Sequence, residues 1–180
     1  MEPQLTEYDS ICGDGDCGVV MKAGATLILK EIASIEAAAA LSASSFCSKV
    51  ADVISASMGG TSGALIELML RNMAVYFVSA EAGATTSWQE ALLRGVQAMQ
   101  FYGGATVGMR TMLDALVIIK TALFVGVEVN HYFYRFPQIP ATDVLMSSGG
   151  DLALSAAKAS EGAESTKTMK PLAGRCSMCP

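Results

Sequence analysis

At 180 residues the chain has room for one domain with a real core. Hydrophobic residues make up 52% and charged residues 16%, so the composition argues against disorder. The formal net charge of −5, with twelve Lys and Arg scattered and no dense run, argues against a general nucleic-acid binder and against a polybasic membrane patch.

The mean hydropathy of +0.41 is high and calls for a membrane check. The longest apolar stretch, roughly Thr111 to Val129, carries Asp114, Lys120 and Glu128, and the stretch from Ala64 to Ala80 carries Glu67 and Arg71. Neither supplies the ~20 nearly uncharged residues of a spanning helix. Both read as helices buried in a crowded bundle or partly covered by a partner chain, a homodimer being one form of such cover. The amino end shows no basic region followed by an apolar block, so no secretory signal is expected and the cytosol is the default compartment.

In chain order, the first element with chemical content is Tyr8-Asp9-Ser10-Ile11-Cys12-Gly13-Asp14-Gly15-Asp16-Cys17-Gly18. Three carboxylates within eight residues repel one another, and a bound divalent cation removes that cost. Hard oxygen ligands suit magnesium or calcium. The twelve-residue ligand order and closing glutamate of an EF-hand are missing. A solvated acidic turn remains the alternative.

From Gly18 to about Ala43 the chain is rich in Ala, Leu, Ile, Lys and Glu and reads as helix. Met58-Gly59-Gly60-Thr61-Ser62-Gly63 then leads into a second helical stretch, Ser62 to Val78, with Leu65, Leu68, Met69, Asn72 and Tyr76 at three- and four-residue steps. Glycines and free N–H groups at a helix start attract phosphate. It is not a Walker A loop, and a plain helix break with a Thr-Ser cap explains it equally well. Ser87 with Glu90 predicts a capped helix reaching about Gln100.

A third glycine-bearing break, Gly103 to Gly108, precedes Met109-Arg110-Thr111-Met112-Leu113-Asp114. Arg110 is placed to meet phosphate charge and Met112 to line an adenine slot. The alternative makes Thr111 a cap and Asp114 a favourable first-turn acid. Helices are predicted from Thr111 to about Val127 and from Asp143 to about Thr168. Between them, residues 130–137 gather four aromatics and the single His131, read as an insertion covering the bundle. The sum is an all-α bundle of antiparallel amphipathic helices with its chemistry in glycine-rich connections.

Five cysteines without a secretory signal argue against a disulfide framework. Cys12, Cys17, Cys176 and Cys179 outline a four-thiolate zinc site, but the C-x4-C spacing of the first pair is loose. Reduced, unpaired thiols are the simpler reading.

Four ordered motifs carry a resemblance: Gly13-Asp-Gly-Asp-Cys-Gly18 after Leu5-Thr-Glu-Tyr-Asp-Ser10; Ser57-Met-Gly-Gly-Thr-Ser-Gly-Ala64; Arg110-Thr-Met-Leu-Asp-Ala-Leu116; and Glu161-Gly-Ala with Ala173-Gly-Arg175. In order and spacing, over about Leu5 to Arg175, the chain resembles the nucleotide-binding L domain of dihydroxyacetone (glycerone) kinases. The resemblance implies a barrel of antiparallel amphipathic helices over residues 1–180, with ATP or ADP and two magnesium ions at one end. Asp9, Asp14 and Asp16 would be metal ligands. Cys17, Gly18, Val19, Val20, Thr61 and Ser62 would lie against the phosphates, Gly103 and Met112 would flank the nucleoside, and Arg175 would contact the nucleotide. It further implies γ-phosphoryl transfer to dihydroxyacetone or glyceraldehyde held on a separate K domain, without which the chain would be inactive.

The departures are specific. Met109 stands where the family usually has Asp. Gly174-Arg175 runs into Cys176-Ser177-Met178-Cys179-Pro180 rather than Ala-Ser-Tyr and a later Asp-Pro-Gly, so one wall of the site is expected to be missing. The helix that usually precedes the Asp9 loop is expected to be lacking, and the chain reads as shortened at both ends. Two alternatives follow: a non-catalytic binding or regulatory module, and a subunit holding ADP as a fixed cofactor for a phosphotransfer partner.

Overall fold

A computed structural model of the chain describes residues 1–80, 87–116, 160, 164 and 166–169. Its contacts divide the chain into two compact units, one formed by Met1–Gly103 and a second that begins at Gly104. All described elements are helical, with no strand among the described residues, so the all-α expectation holds.

The first unit runs α1 (Glu2–Cys12), α2 (Cys17–Lys30), α3 (Ile32–Leu41), α4 (Ala43–Ser57), α5 (Gly60–Ala80) and α6 (Trp88–Gly103). Short connections force neighbours to fold back on each other. Along α4 and α5, Ser44 Oγ donates to the Ala74 carbonyl at 3.0 Å, and Arg71 Nη2 reaches Asp52 Oδ1 at 3.1 Å, nearer the hairpin's closed end. That pairing makes the two helices antiparallel. The same sense holds for α5 and α6, where Gly95 lies against Met69 and Met73 while Gly103 lies against Leu65.

Two sequence expectations change here. The single helix predicted from Gly18 to Ala43 is broken at Glu31, where Ser34 Oγ donates to both the Glu31 carbonyl and its carboxylate at 2.8 Å. A serine hydroxyl that competes for backbone acceptors turns the chain where composition alone reads straight helix. Ser34 first, then Lys49 Nζ at 3.2 Å, holds the Glu31 carboxyl below its usual range. In α5 the predicted stripe of Leu65, Leu68, Met69, Asn72 and Tyr76 is only half-buried, and the deepest residues are Met73, Ala74 and Phe77. Because α5 packs on α4 along one side and α6 along another, its buried face is wider than one stripe.

Cys47, Met73, Ala74, Phe77 and Ala91 form the core of this region. The Trp88 ring stands edge-on to Phe77 at 4.7 Å and to Phe46 at 6.0 Å, fixing the start of α6 over the α4–α5 hairpin. Burial pushes the Cys47 thiol up to about 11. Its folded value therefore exceeds the unfolded one, so its contribution is whole below the ordinary thiol range and is lost as pH climbs through 11. We expect urea midpoints to fall across that alkaline window, and Cys47→Ala to flatten the fall. An equally steep decline in the variant would disprove the assignment.

Of the second unit, α7 (Leu113–Leu116) and a 3-10 turn at Thr166–Thr168 are described. The predicted helix from Thr111 is seen only in its opening turn. The rest of that helix, most of the 143–168 stretch, the 130–137 aromatics with His131, and Arg175 lie outside the described residues. No described helix is long and apolar enough to cross a membrane.

Candidate functional site

The acidic motif is built by the end of one helix and the start of the next. Residues expected to form only a loop instead continue α1 through Cys12, so Asp9 sits in the last turn of a helix. The motif's own lead-in thus forms α1, with Pro3 at a position where its missing N–H costs nothing. Asp9 Oδ2 accepts the backbone N–H groups of Asp16 at 2.9 Å and Cys17 at 3.1 Å. These are orphan donors at the start of α2, so a carboxylate from α1 caps the next helix. Gly15, with φ +73, turns the chain through the left-handed region that makes this return possible.

The result is a cluster in which Asp9, Asp14 and Asp16 each offer a carboxylate oxygen, all within 4.8 Å of one another. Asp9 is half-buried, while Asp14 and Asp16 are exposed. An Mg–O bond is about 2.0–2.1 Å, so two ligands on opposite sides of one ion stand about 4 Å apart, and the donor set suits a hard divalent cation. Burial first, then the carboxylates of Asp9 and Asp16, pushes the Cys17 thiol up. The partners Cys176 and Cys179 of the zinc alternative lie outside the described residues.

The first turn of α2 is pressed against α1. Gly18 is buried, and a Cβ there would run into the Glu2 carbonyl and the Thr6 hydroxyl. Lys22 Nζ pairs with Glu2 at 2.6 Å on the same seam. Val19 is exposed and Val20 half-buried, with the Val20 N–H on the Asp16 carbonyl at 2.9 Å. Of the six residues expected along the phosphates, Gly18 thus has a second role as the contact point of two helices.

At the second loop, Gly60 has φ +68 and opens α5, and a Cβ at Gly59 or Gly60 would meet nothing within 4 Å. Packing therefore does not explain these glycines. Thr61 is exposed and Ser62 half-buried, and neither hydroxyl bonds to another described residue. The backbone at Gly59 and Gly60 thus borders open space.

The third motif holds Asp114, which lies in the first turn of α7 as the capping alternative expected. Asp114 is 1% exposed and uses both carboxylate oxygens on the preceding loop, accepting Gly108 N–H at 2.6 Å and Thr111 N–H at 2.7 Å. Thr111 Oγ1 accepts the Leu113 N–H at 3.2 Å, completing a reciprocal capping box. A Thr-x-x-Asp ahead of an apolar run signals that box in sequence. Its reach back to Gly108 is what spacing did not reveal. At Met109, where the family usually has Asp, the thioether sulfur accepts the Thr106 N–H at 3.4 Å, so an acceptor is retained inside the loop. Arg110 adopts φ 57 and donates to the Met169 carbonyl at 3.3 Å.

A family model described as the DAK2 domain matches residues 11–133, more than half of the chain. The chain belongs to the DAK2 domain family. It is 33% identical over 177 residues to a triokinase/FMN cyclase of Homo sapiens, covering 98% of this chain and 28% of that protein. It is 30% identical over 182 residues to a dihydroxyacetone kinase of Pichia angusta, covering 98% and 26%. Among solved structures it is similar to the dihydroxyacetone kinase from C. freundii in complex with AMP-PNP and Mg2+, at a TM-score of 0.65 and 28% identity over 94% of this chain and 26% of that one. The DAK2 chain therefore spans little more than a quarter of the length of these relatives.

For a DAK2 domain, the structure gathers Asp9, Asp14, Asp16, Cys17 and Gly18 around one turn. Thr61 and Ser62 begin a separate helix of the same unit, Gly103 is exposed at the end of α6, and Met112 is half-buried beside the Asp114 clamp in the second unit. Arg175 is outside the described residues.

Proposed function

We propose that this DAK2 domain binds ATP or ADP with magnesium and serves as the nucleotide half of a dihydroxyacetone or triose kinase. The observation that carries the reading is the acidic cluster: three carboxylate oxygens within 4.8 Å, one fixed by two amide N–H groups. Similarity to a kinase solved with AMP-PNP and Mg2+ supports the choice of ligand.

In this reading Asp9, Asp14 and Asp16 hold two magnesium ions. Magnesium when bound would neutralise phosphate charge and stabilise the transferring group. Asp9 keeps the turn in register, so Asp14 and Asp16 need little rearrangement. The first turn of α2, Cys17, Gly18, Val19 and Val20, lies against the phosphates, as do Thr61 and Ser62 at the start of α5. Gly103 and Met112 flank the nucleoside, and Arg175 contacts the nucleotide. We read both units as parts of one nucleotide-binding domain, supported by a family match that runs from residue 11 to residue 133.

The triose and its binding residues belong to a K domain, a proposal supported by the small share of each relative that this chain covers. The acceptor would be the hydroxyl of dihydroxyacetone or glyceraldehyde, attacking the γ-phosphoryl in line. Alone, the chain binds nucleotide without turnover.

Calorimetric titration of ADP into the chain tests this directly. We expect binding with Mg2+ present and its loss when EDTA removes the metal. Absence of heat with Mg2+, or the same affinity with and without it, would overturn the reading.

A further inference from the structure

Asp114 reaches further than helix capping requires. Thr111 Oγ1 already satisfies the Leu113 N–H, yet the Asp114 carboxylate also holds Gly108, six residues back and outside the helix. The stretch so held contains two left-handed residues, Gly108 with φ +90 and Arg110 with φ 57. A non-glycine residue in that region is disfavoured unless its surroundings impose it. Here the clamp on Thr111 N–H from one side and the Arg110–Met169 bond from the other impose it. Met112 follows at once, half-buried, between the clamped amide and the clamping carboxylate. The backbone that leads into Met112 is thus set by a buried carboxylate engaged with two amides of the same turn.

We propose that Asp114 is a positioning residue for the nucleoside, acting through the Gly108–Thr111 turn to place Met112 against the base. This rests on the magnesium–nucleotide reading above and adds a division of labour to it. The acidic cluster governs the phosphates, and Asp114 governs discrimination between a nucleotide and a bare polyphosphate.

Asp114→Asn keeps the shape but supplies one acceptor oxygen for two donors and turns an NH2 toward one of them. Gly108→Ala strains the same turn through φ alone, since a Cβ there meets nothing within 4 Å. Calorimetry compares ADP with pyrophosphate, both with Mg2+, on the whole chain. In either variant we expect the Kd for ADP to rise about tenfold, the equivalent of one or two lost hydrogen bonds, with pyrophosphate unchanged. Equal loss of both ligands, or unchanged ADP affinity in a folded variant, overturns the positioning role and leaves magnesium–nucleotide binding standing. Failure of the unaltered chain to bind either ligand refutes that binding and this inference with it. Should Asp114→Asn not fold, Gly108→Ala gives the same two-way answer.

Discussion

Replacing Asp14 and Asp16 together by Ala is expected to weaken binding of ADP with Mg2+ by at least about 100-fold, or ~3 kcal/mol. Both side chains are exposed, so their removal empties no part of the core. It also relieves repulsion among carboxylates whose oxygens lie within 4.8 Å of one another. Asp9 behaves differently because it has two tasks. Asp9→Asn keeps an oxygen for the Asp16 and Cys17 amides while removing the charge, so it should lose affinity and keep the fold. Asp9→Ala orphans both amides and should lose affinity and local stability together, the latter by about 1–2 kcal/mol for partly exposed groups. Calorimetry and thermal melts on the three variants separate charge from scaffold. Unchanged affinity in the Asp14/Asp16 variant would refute magnesium ligation by these groups.

The second large effect is expected at Gly18. A Cβ there meets the Glu2 carbonyl and the Thr6 hydroxyl, and the carbonyl belongs to the first turn of α1, which has no rotamer to yield. Gly18→Val must therefore push α1 away from α2, at a cost of about 3 kcal/mol or more for overpacking against backbone. The displacement reaches Asp9, since Asp9 rides on α1 and its hydrogen-bond partners ride on α2. Stability and magnesium-dependent binding should fall together. Gly24→Ala, by contrast, meets only the flexible Met58 side chain and should be much milder. A Gly18→Val chain with wild-type melting would show that the two helices are not in contact there.

The sequence disclosed a good deal, and its failures share a cause. Glycine-bearing breaks and the Ser87 cap are local signals, written in adjacent residues, and helices end or begin beside them. The split at Glu31 was illegible because it depends on Ser34 and Lys49 converging on one carboxylate, and Lys49 is eighteen residues away. The α5 stripe was misread because helical periodicity reports one face, whereas α5 is gripped by α4 and α6 on two. Asp114 shows the limit most plainly. Its capping role is visible in Thr-x-x-Asp, yet its bond to Gly108 requires the loop to double back through two left-handed residues, which spacing does not encode. The exchange of sulfur for carboxylate at Met109 is likewise visible only in coordinates, where Sδ meets the Thr106 amide.

No described side chain of α1 is fully buried, and the helix has only eleven residues. In isolation a segment of that length is marginal in water. What tethers it is the seam at Gly18, the Lys22 pair and the Asp9 caps, the last of which sit beside the three clustered carboxylates. Occupancy of that cluster would therefore be felt along the whole of α1, whose hold on α2 tightens as ligand concentration passes its dissociation constant.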